Sequence, residues 1–64
     1  MKYTEDEFEL VLEFLEEQDN ILRTNNYEAV DDGWKDKETA EGEEWAMETA
    51  IEMIRYMQAN KDFI

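Results

Sequence analysis

The chain contains no histidine, cysteine, serine or proline among its 64 residues. Because the common nucleophile and base pairs are built from serine, cysteine and histidine, this absence excludes the usual hydrolytic triads and their variants. A carboxylate pair acting as acid and base would require a deep cleft, which a helical chain of this length does not provide. We therefore predict no enzymatic activity, and neither catalytic, cofactor-binding nor metal-binding residues.

The lack of cysteine and of long apolar segments also indicates where in the cell the protein is found. Without cysteine the chain has no disulfides and no thiolate metal ligands, which fits a reducing compartment. Apolar runs such as Leu10-Val11-Leu12 are far shorter than the roughly 20 residues of a membrane span. Residues 1–7 carry no apolar signal region. These features predict a soluble, cytoplasmic protein that does not contact membranes.

Negative charge is what the chain has in excess. Nineteen acidic residues oppose six basic ones, for a net charge of −13. Residues 1–24, 25–42 and 43–64 hold two basic residues each against eight, six and five acidic ones, hence −6, −4 and −3. No segment compensates another. Such a surface repels nucleic acid and attracts basic protein grooves, so we predict a basic protein partner and no direct contact with nucleic acid.

The first helix is marked by its N-terminal sequence. Thr4 and Glu7 have the spacing of a capping box, and Tyr3 and Phe8 have that of a hydrophobic staple. The helical pattern continues up to Asn25-Asn26, which we predict as a left-handed stop. Two neighbouring apolar stripes follow from a rotation of about 100° per residue: Phe8, Val11, Leu12, Leu15 and Leu22, and then Leu10, Phe14 and Ile21.

A second long helix is predicted from near Glu43 to near Asn60, although a start near Asp36 with Gly42 inside the helix is also open. Its central apolar stripe is predicted to consist of Ala46, Ala50, Met53, Ile54 and Met57, with Trp45 and Tyr56 on one flank and Met47 and Ile51 on the other.

A short middle helix is predicted from the spacing of Tyr27, Val30 and Trp34, which are three and four residues apart. We predict that it ends at Asp32-Gly33. The acidic residues here lack the spacing of a calcium-binding EF-hand loop. We therefore predict a plain acidic turn with Gly33 in a left-handed conformation.

The predicted fold class is all-α, with residues 1–64 forming one small domain. It is either a helical hairpin or a three-helix domain made of two main helices and the short middle one. Both long helices have apolar arcs wider than one helix contact requires. Either the middle helix covers the excess, or two chains dimerise into a four-helix arrangement, which is the favoured alternative. The predicted apolar contacts to a partner or a second copy are Leu10, Phe14, Ile21, Trp34, Met47 and Ile51.

Function is predicted from the acidic run of the first helix. Eight carboxylates lie on the fifteen residues from Glu5 to Asp19, about one charge per 3 Å of helix axis, whereas duplex DNA carries about one per 1.7 Å. The predicted contact residues are Glu9, Glu13, Glu16 and Glu17. They predict a small regulator or inhibitor that occupies the basic groove of a partner, in particular a nucleic-acid-binding protein. The alternatives are a solvated, solubilising helix face and a homo-oligomeric assembly module that uses its apolar faces.

The composition as a whole adds a resemblance. A tiny, strongly acidic, helical chain without cysteine is similar to small virus-encoded inhibitors that block host nucleic-acid-binding proteins. This resemblance covers composition and no individual residue. It implies mimicry of nucleic acid and an origin in a phage or another virus.

Overall fold

Two antiparallel helices form a hairpin. The computed structural model describes residues 3–60. Helix α1 spans Glu5–Asp31 and helix α2 spans Lys37–Ala59, and the chain measures 46 × 17 × 14 Å along its principal axes. The all-α prediction is thus confirmed as a helical hairpin. The predicted middle helix is not a separate element in this part of the chain, because Tyr27 and Val30 belong to the last turns of α1.

Both helices begin with caps that the sequence encodes. The Thr4 N–H donates to Glu7 Oε1 at 2.8 Å, and the Glu7 N–H donates to Thr4 Oγ1 at 3.1 Å. The predicted staple is present as an edge-to-face contact between Tyr3 and Phe8, with ring centroids 5.8 Å apart. Helix α2 is capped by Asp36, whose carboxylate accepts the N–H of Thr39 at 2.7 Å. The earlier of the two predicted starts of α2 is therefore the observed one.

Helix α1 ends at Asp31, two residues before the left-handed Gly33, rather than at Asn25-Asn26. Gly33 has a φ of 79°, and its N–H donates to the carbonyl of Val30 at 3.2 Å while the Trp34 N–H donates to that of Ala29 at 2.8 Å. This pair of bonds is the Schellman arrangement that closes helices at a left-handed glycine. The prediction of a stop at Asn25-Asn26 is wrong, because Asn26 is held in the helix by bonds to α2 (see below).

The residues that face the other helix recur at alternating spacings of four and three. This is the heptad pattern of a coiled coil, and we call it the first seam. Five of its members are buried, and the others are half-buried. It consists of Phe8, Leu12, Leu15, Asp19, Leu22, Asn26 and Ala29 in α1 and of Ala40, Glu44, Met47, Ile51, Ile54 and Gln58 in α2.

The first seam corrects the predicted orientation of α2. Ile51, predicted at the flank, is 7% exposed, whereas Met53, predicted on the central stripe, is 61% exposed. The apolar arc of α2 is broader than the side that faces α1. Contact with α1 buries only one part of this arc, and that part is not its centre.

Asn26 is the most deeply buried side chain of the seam, at 1% exposure. Its Nδ2 donates to the carbonyl of Ala40 at 3.4 Å and to Glu44 Oε2 at 3.3 Å, and its Oδ1 accepts from Lys35 Nζ at 2.7 Å. A buried amide would be costly without partners. Here it joins both helices and the connection, so it fixes the register of the hairpin near the turn.

The two glycines should respond to alanine with opposite signs. A Cβ at either position meets no atom within 4 Å, so the backbone alone decides. Gly33→Ala forces a left-handed alanine and should lower stability by about 1 kcal/mol. Gly42→Ala, inside α2, should raise it by about 0.5–1 kcal/mol. Thermal unfolding followed by circular dichroism measures both, and midpoints that shift in the same direction would contradict the assignment.

Asn26→Ala should lower the free energy of unfolding by about 1–3 kcal/mol, because the Ala40 carbonyl and the Lys35 ammonium lose a buried partner. The control is Asn25→Ala, at an exposed position of the same helix turn with the same change in helix propensity, and it should lie within about 0.5 kcal/mol of the parent or be slightly more stable. Urea titrations of the three proteins test this. Equal midpoints for the two variants would show that the buried amide contributes nothing specific.

Candidate protein-binding surfaces

One side of the hairpin is lined by ion pairs between the helices. The guanidinium nitrogens of Arg23 lie 3.1 Å from Asp19 Oδ2, 3.3 Å from Glu44 Oε1 and 3.6 Å from Glu48 Oε2. Arg55 of α2 reaches Glu16 of α1 at 2.5 Å. A shared groove between the helices is lined by five of these residues: Glu16, Asp19, Arg23, Glu48 and Arg55. The arrangement links the helices electrostatically, although exposed pairs of this kind contribute only about 0–1 kcal/mol each.

The turn end of the hairpin carries a second charged cluster. Lys35 Nζ donates to Glu43 Oε1 at 2.6 Å as well as to Asn26. The hydrogen bond from Lys35 lowers the pKa of Glu43. On the ion-paired side, the hydrogen bond to Asp19 raises the pKa of Arg23, with the nearby Glu44 and Glu48 adding to the effect. The lowered pKa of Glu43 and the raised pKa of Arg23 each favour the charged form of that side chain.

All basic side chains between residues 3 and 60 are engaged in ion pairs. Lys37 contacts Glu41 at 3.9 Å, and the others are Arg23, Lys35 and Arg55, as described above. The cations are thus used within the hairpin. Because acidic residues outnumber basic ones nineteen to six in the whole sequence, several exposed carboxylates have no ion-pair partner within residues 3–60.

Helix α1 presents three such carboxylates on its outer side. Glu9, Glu13 and Glu17 are exposed and have no hydrogen-bond or ion-pair partner among residues 3–60. They follow one another at intervals of four residues, about 6 Å along the axis. Glu16 was predicted to join them, but it points toward α2 and pairs with Arg55. We call Glu9, Glu13 and Glu17 the acidic row.

The predicted apolar contact residues fall into two groups. Leu10, Phe14 and Ile21 are exposed, and Trp34 in the connection is 85% exposed. Met47 and Ile51 instead pack in the first seam. Ile51 is 7% exposed because α1 of the same chain covers it, which contradicts its assignment as a partner contact. Met47 is half-buried in the same seam, so its assignment stays a prediction.

Four apolar residues of α2 that the sequence predicts for its central stripe lie beside the first seam rather than in it. Met53 and Met57 follow Ala46 and Ala50 at heptad spacing, about a quarter-turn away from the first seam. On α1, Phe14 and Ile21 have the same offset from their own seam, on the side opposite the ion pairs. We call this set the apolar face: Phe14, Ile21, Ala46, Ala50, Met53 and Met57. The alternating spacing of four and three residues is visible in the sequence. Only the position of the first seam shows which apolar stripe does not contact the other helix of the hairpin.

Other kinds of site find no support in the part of the chain that the structure describes. Residues 3–60 hold no group of three or more acidic side chains placed to bind a metal ion. Neither α1 nor α2 has the length and apolar character needed to cross a membrane. Comparison with protein-family models, curated proteins and solved structures finds no match. The surfaces themselves are therefore the basis for assigning a function.

The pairing of Lys35 with Glu43 predicts a pH dependence. Because the folded pKa of Glu43 is lowered, its contribution is fully present above the unfolded pKa of about 4.3 and is lost as pH falls through the folded value. Glu43→Gln does not titrate. The parent should therefore be more stable than this variant at pH 7, and the difference should shrink toward pH 3.

Glu28→Gln is the control for the general relief of charge repulsion, since Glu28 is exposed and makes no ion pair within residues 3–60. Urea titrations at both pH values measure the differences. After subtraction of the control, the difference in the free energy of unfolding between the parent and Glu43→Gln should change with pH. A difference that stays constant from pH 7 to pH 3 would contradict a stabilising role of the Lys35–Glu43 pair.

Proposed function

We propose that the protein is a small, non-catalytic regulator or inhibitor that binds a basic groove of a partner protein in the cytoplasm. The partner class that we propose is a nucleic-acid-binding protein whose groove accepts the acidic helix in place of a phosphate backbone. The observation that carries the proposal is the acidic row. Glu9, Glu13 and Glu17 stand on a rigid helix with no cation of residues 3–60 beside them.

The spacing of the acidic row fits this use. Its charges recur about every 6 Å along a straight axis, against one phosphate per 3.4 Å on each strand of DNA. A row of fixed carboxylates can therefore meet a lysine- and arginine-lined groove at several points. Because α1 is capped at its N-terminus by the Thr4–Glu7 pair, the row is held in place before binding, which reduces the entropy lost on association.

Internal pairing of the cations strengthens the argument. A chain whose acids served solubility alone would not need its basic residues confined to the groove between the helices and to the turn. Confining Arg23, Arg55 and Lys35 there leaves the outer side of α1 uniformly negative over the acidic row. Such a field attracts cationic surfaces over about one Debye length, roughly 10 Å at 0.1 M salt, and it accelerates encounter with them.

The proposal is tested by capture from a cell extract that has been cleared of nucleic acid. Immobilised protein at about 0.05 M salt should retain nucleic-acid-binding proteins and release them at about 0.5 M, because the Debye length falls to a few ångströms. Added duplex DNA should compete for the same captured proteins. Glu9→Gln/Glu13→Gln should weaken retention severalfold.

The matched control is Glu28→Gln/Glu52→Gln, which removes the same two charges from exposed positions outside the acidic row. It should retain the partners nearly as well as the parent. Retention that ignores salt and DNA, or that falls equally for both double variants, would rule out a specific role of the acidic row.

A second candidate function is a homo-oligomeric assembly module in which the charge serves solubility. It is favoured by the exposure of Leu10, Phe14 and Ile21, which no charged partner would require. The two candidates differ in salt dependence, since association through apolar surfaces of like-charged chains strengthens as salt rises.

A further inference from the structure

We propose that a second copy of this chain covers the apolar face, so that two hairpins form a four-helix bundle. This dimer rests on the second candidate function, homo-oligomeric assembly, and does not depend on the binding of a basic partner. It gives the apolar face an occupant and a packing geometry. Four features of the face support it: the spacing of its residues, their angle to the first seam, the exposed apolar side chains and the absence of charge.

The apolar face has the spacing of a second coiled-coil seam. On α1, Val11, Phe14, Gln18 and Ile21 recur at intervals of three, four and three residues. On α2 the corresponding positions alternate in the same way: Ala46, Ala50, Met53 and Met57. Heptad spacing keeps one side of a helix toward a neighbouring helix over several turns when the two helices wrap gently around each other. A single hairpin uses one seam for each helix, so the second seam is left without a helix to contact.

The angle between the two seams points to a bundle. With about 100° per residue, the second seam lies roughly 90–100° round from the first on each helix. Both offsets have the same sense, so the second seams of α1 and α2 open on the same side, opposite Arg23 and Arg55 of the ion pairs. Each helix of a four-helix bundle contacts two neighbours at about this angle.

The apolar parts of the two second seams lie side by side within one hairpin. Val11 shares a surface cavity with Ile54 and Met57, while Arg23 is paired with Glu44. The stretch from Val11 to Ile21 therefore runs alongside the stretch from Ala46 to Met57. Their side chains also complement one another in size. The small side chains of Ala46 and Ala50 leave room for the Phe14 ring of the second copy, as knobs and holes require.

The hairpin exposes more surface than a compact monomer of its mass. The chain has 5184 Å² of accessible surface, whereas a compact monomer of 7.7 kDa should have about 4,300 Å². The excess of about 850 Å² follows from the elongated shape of the two-helix hairpin, and burial of roughly 800 Å² on each chain, as in a standard interface, would offset it. Phe14 at 59% and Met53 at 61% exposure contribute to this excess.

The apolar face is also free of charge. Gln18, which lies between Phe14 and Ile21, is neutral, so a second copy would desolvate no carboxylate at the centre of the interface. A basic partner would find nothing to pair with there. The charges lie on the remaining sides, and with −13 on each chain the copies repel each other at low salt. Dimerisation should therefore tighten as salt rises, whereas binding of a basic partner should weaken.

Sedimentation equilibrium of the full chain at about 0.05 and 0.5 M salt tests the inference. The expected mass is twice 7.7 kDa, with a dissociation constant that falls severalfold at the higher salt. Phe14→Glu should raise that constant by about tenfold or more, because it places a charge in the apolar face. The control is Tyr27→Glu, which changes an aromatic residue that is 79% exposed on the other side of α1, and it should dimerise like the parent.

Circular dichroism separates lost association from lost folding, and Phe14→Glu should remain helical. A parent that is monomeric at both salt concentrations would overturn the inference, and so would a dimer that Phe14→Glu and Tyr27→Glu affect equally. Glu9→Gln/Glu13→Gln should still dimerise. Failure of the dimer and failure of partner binding are therefore separate results.

Discussion

A single contact between two helices holds this chain together, and it is narrow and partly polar. Toward the chain ends the first seam is apolar, with Phe8 and Ile51 buried. Toward the turn it is built on Asn26, which is bonded to Ala40, Glu44 and Lys35. The polar half specifies which residues lie opposite one another, and the apolar half supplies the hydrophobic stabilisation. One such contact buries little apolar surface, and a chain of this size is at the lower limit of independent stability.

This constraint explains how the surface is divided. Basic residues are used close to the hairpin, where Arg23 and Arg55 connect α1 to α2. Three carboxylates without an ion-pair partner among residues 3–60 form the acidic row on the outer side of α1. The remaining side is the apolar face, which carries no charge at its centre. Separation of charged and apolar surfaces allows two kinds of association with opposite responses to salt, one with a cationic groove and one with another copy of the chain.

Local sequence rules predicted the parts of the fold that depend on neighbouring residues. The capping box at Thr4, the staple between Tyr3 and Phe8 and the left-handed Gly33 are all formed within a few residues. Asn25-Asn26 was misread as a stop because the partners of Asn26 are distant in sequence: Lys35 is 9 residues away in the connection, and Ala40 and Glu44 are 14 and 18 residues away on α2. Helix propensity does not take such tertiary hydrogen bonds into account. It therefore predicted a helix end at Asn25-Asn26, where the folded chain remains helical.

The sequence also predicted the candidate binding surfaces in part. Exposure of Leu10, Phe14 and Ile21 followed from the width of the apolar arc and is observed. Glu16 and Ile51 were misplaced, since a broad arc does not reveal which of its edges faces the other helix. Once the first seam is known, the second follows from residue spacing.

The central claim is that the hairpin has a second seam, which another copy of the chain completes. The concentration dependence of thermal unfolding tests it most directly, because dissociation on unfolding makes the midpoint of a dimer rise with protein concentration. At about 0.5 M salt, where repulsion is screened, the midpoint should rise steadily as the protein concentration is raised a hundredfold. A midpoint that stays the same over that range would contradict the account.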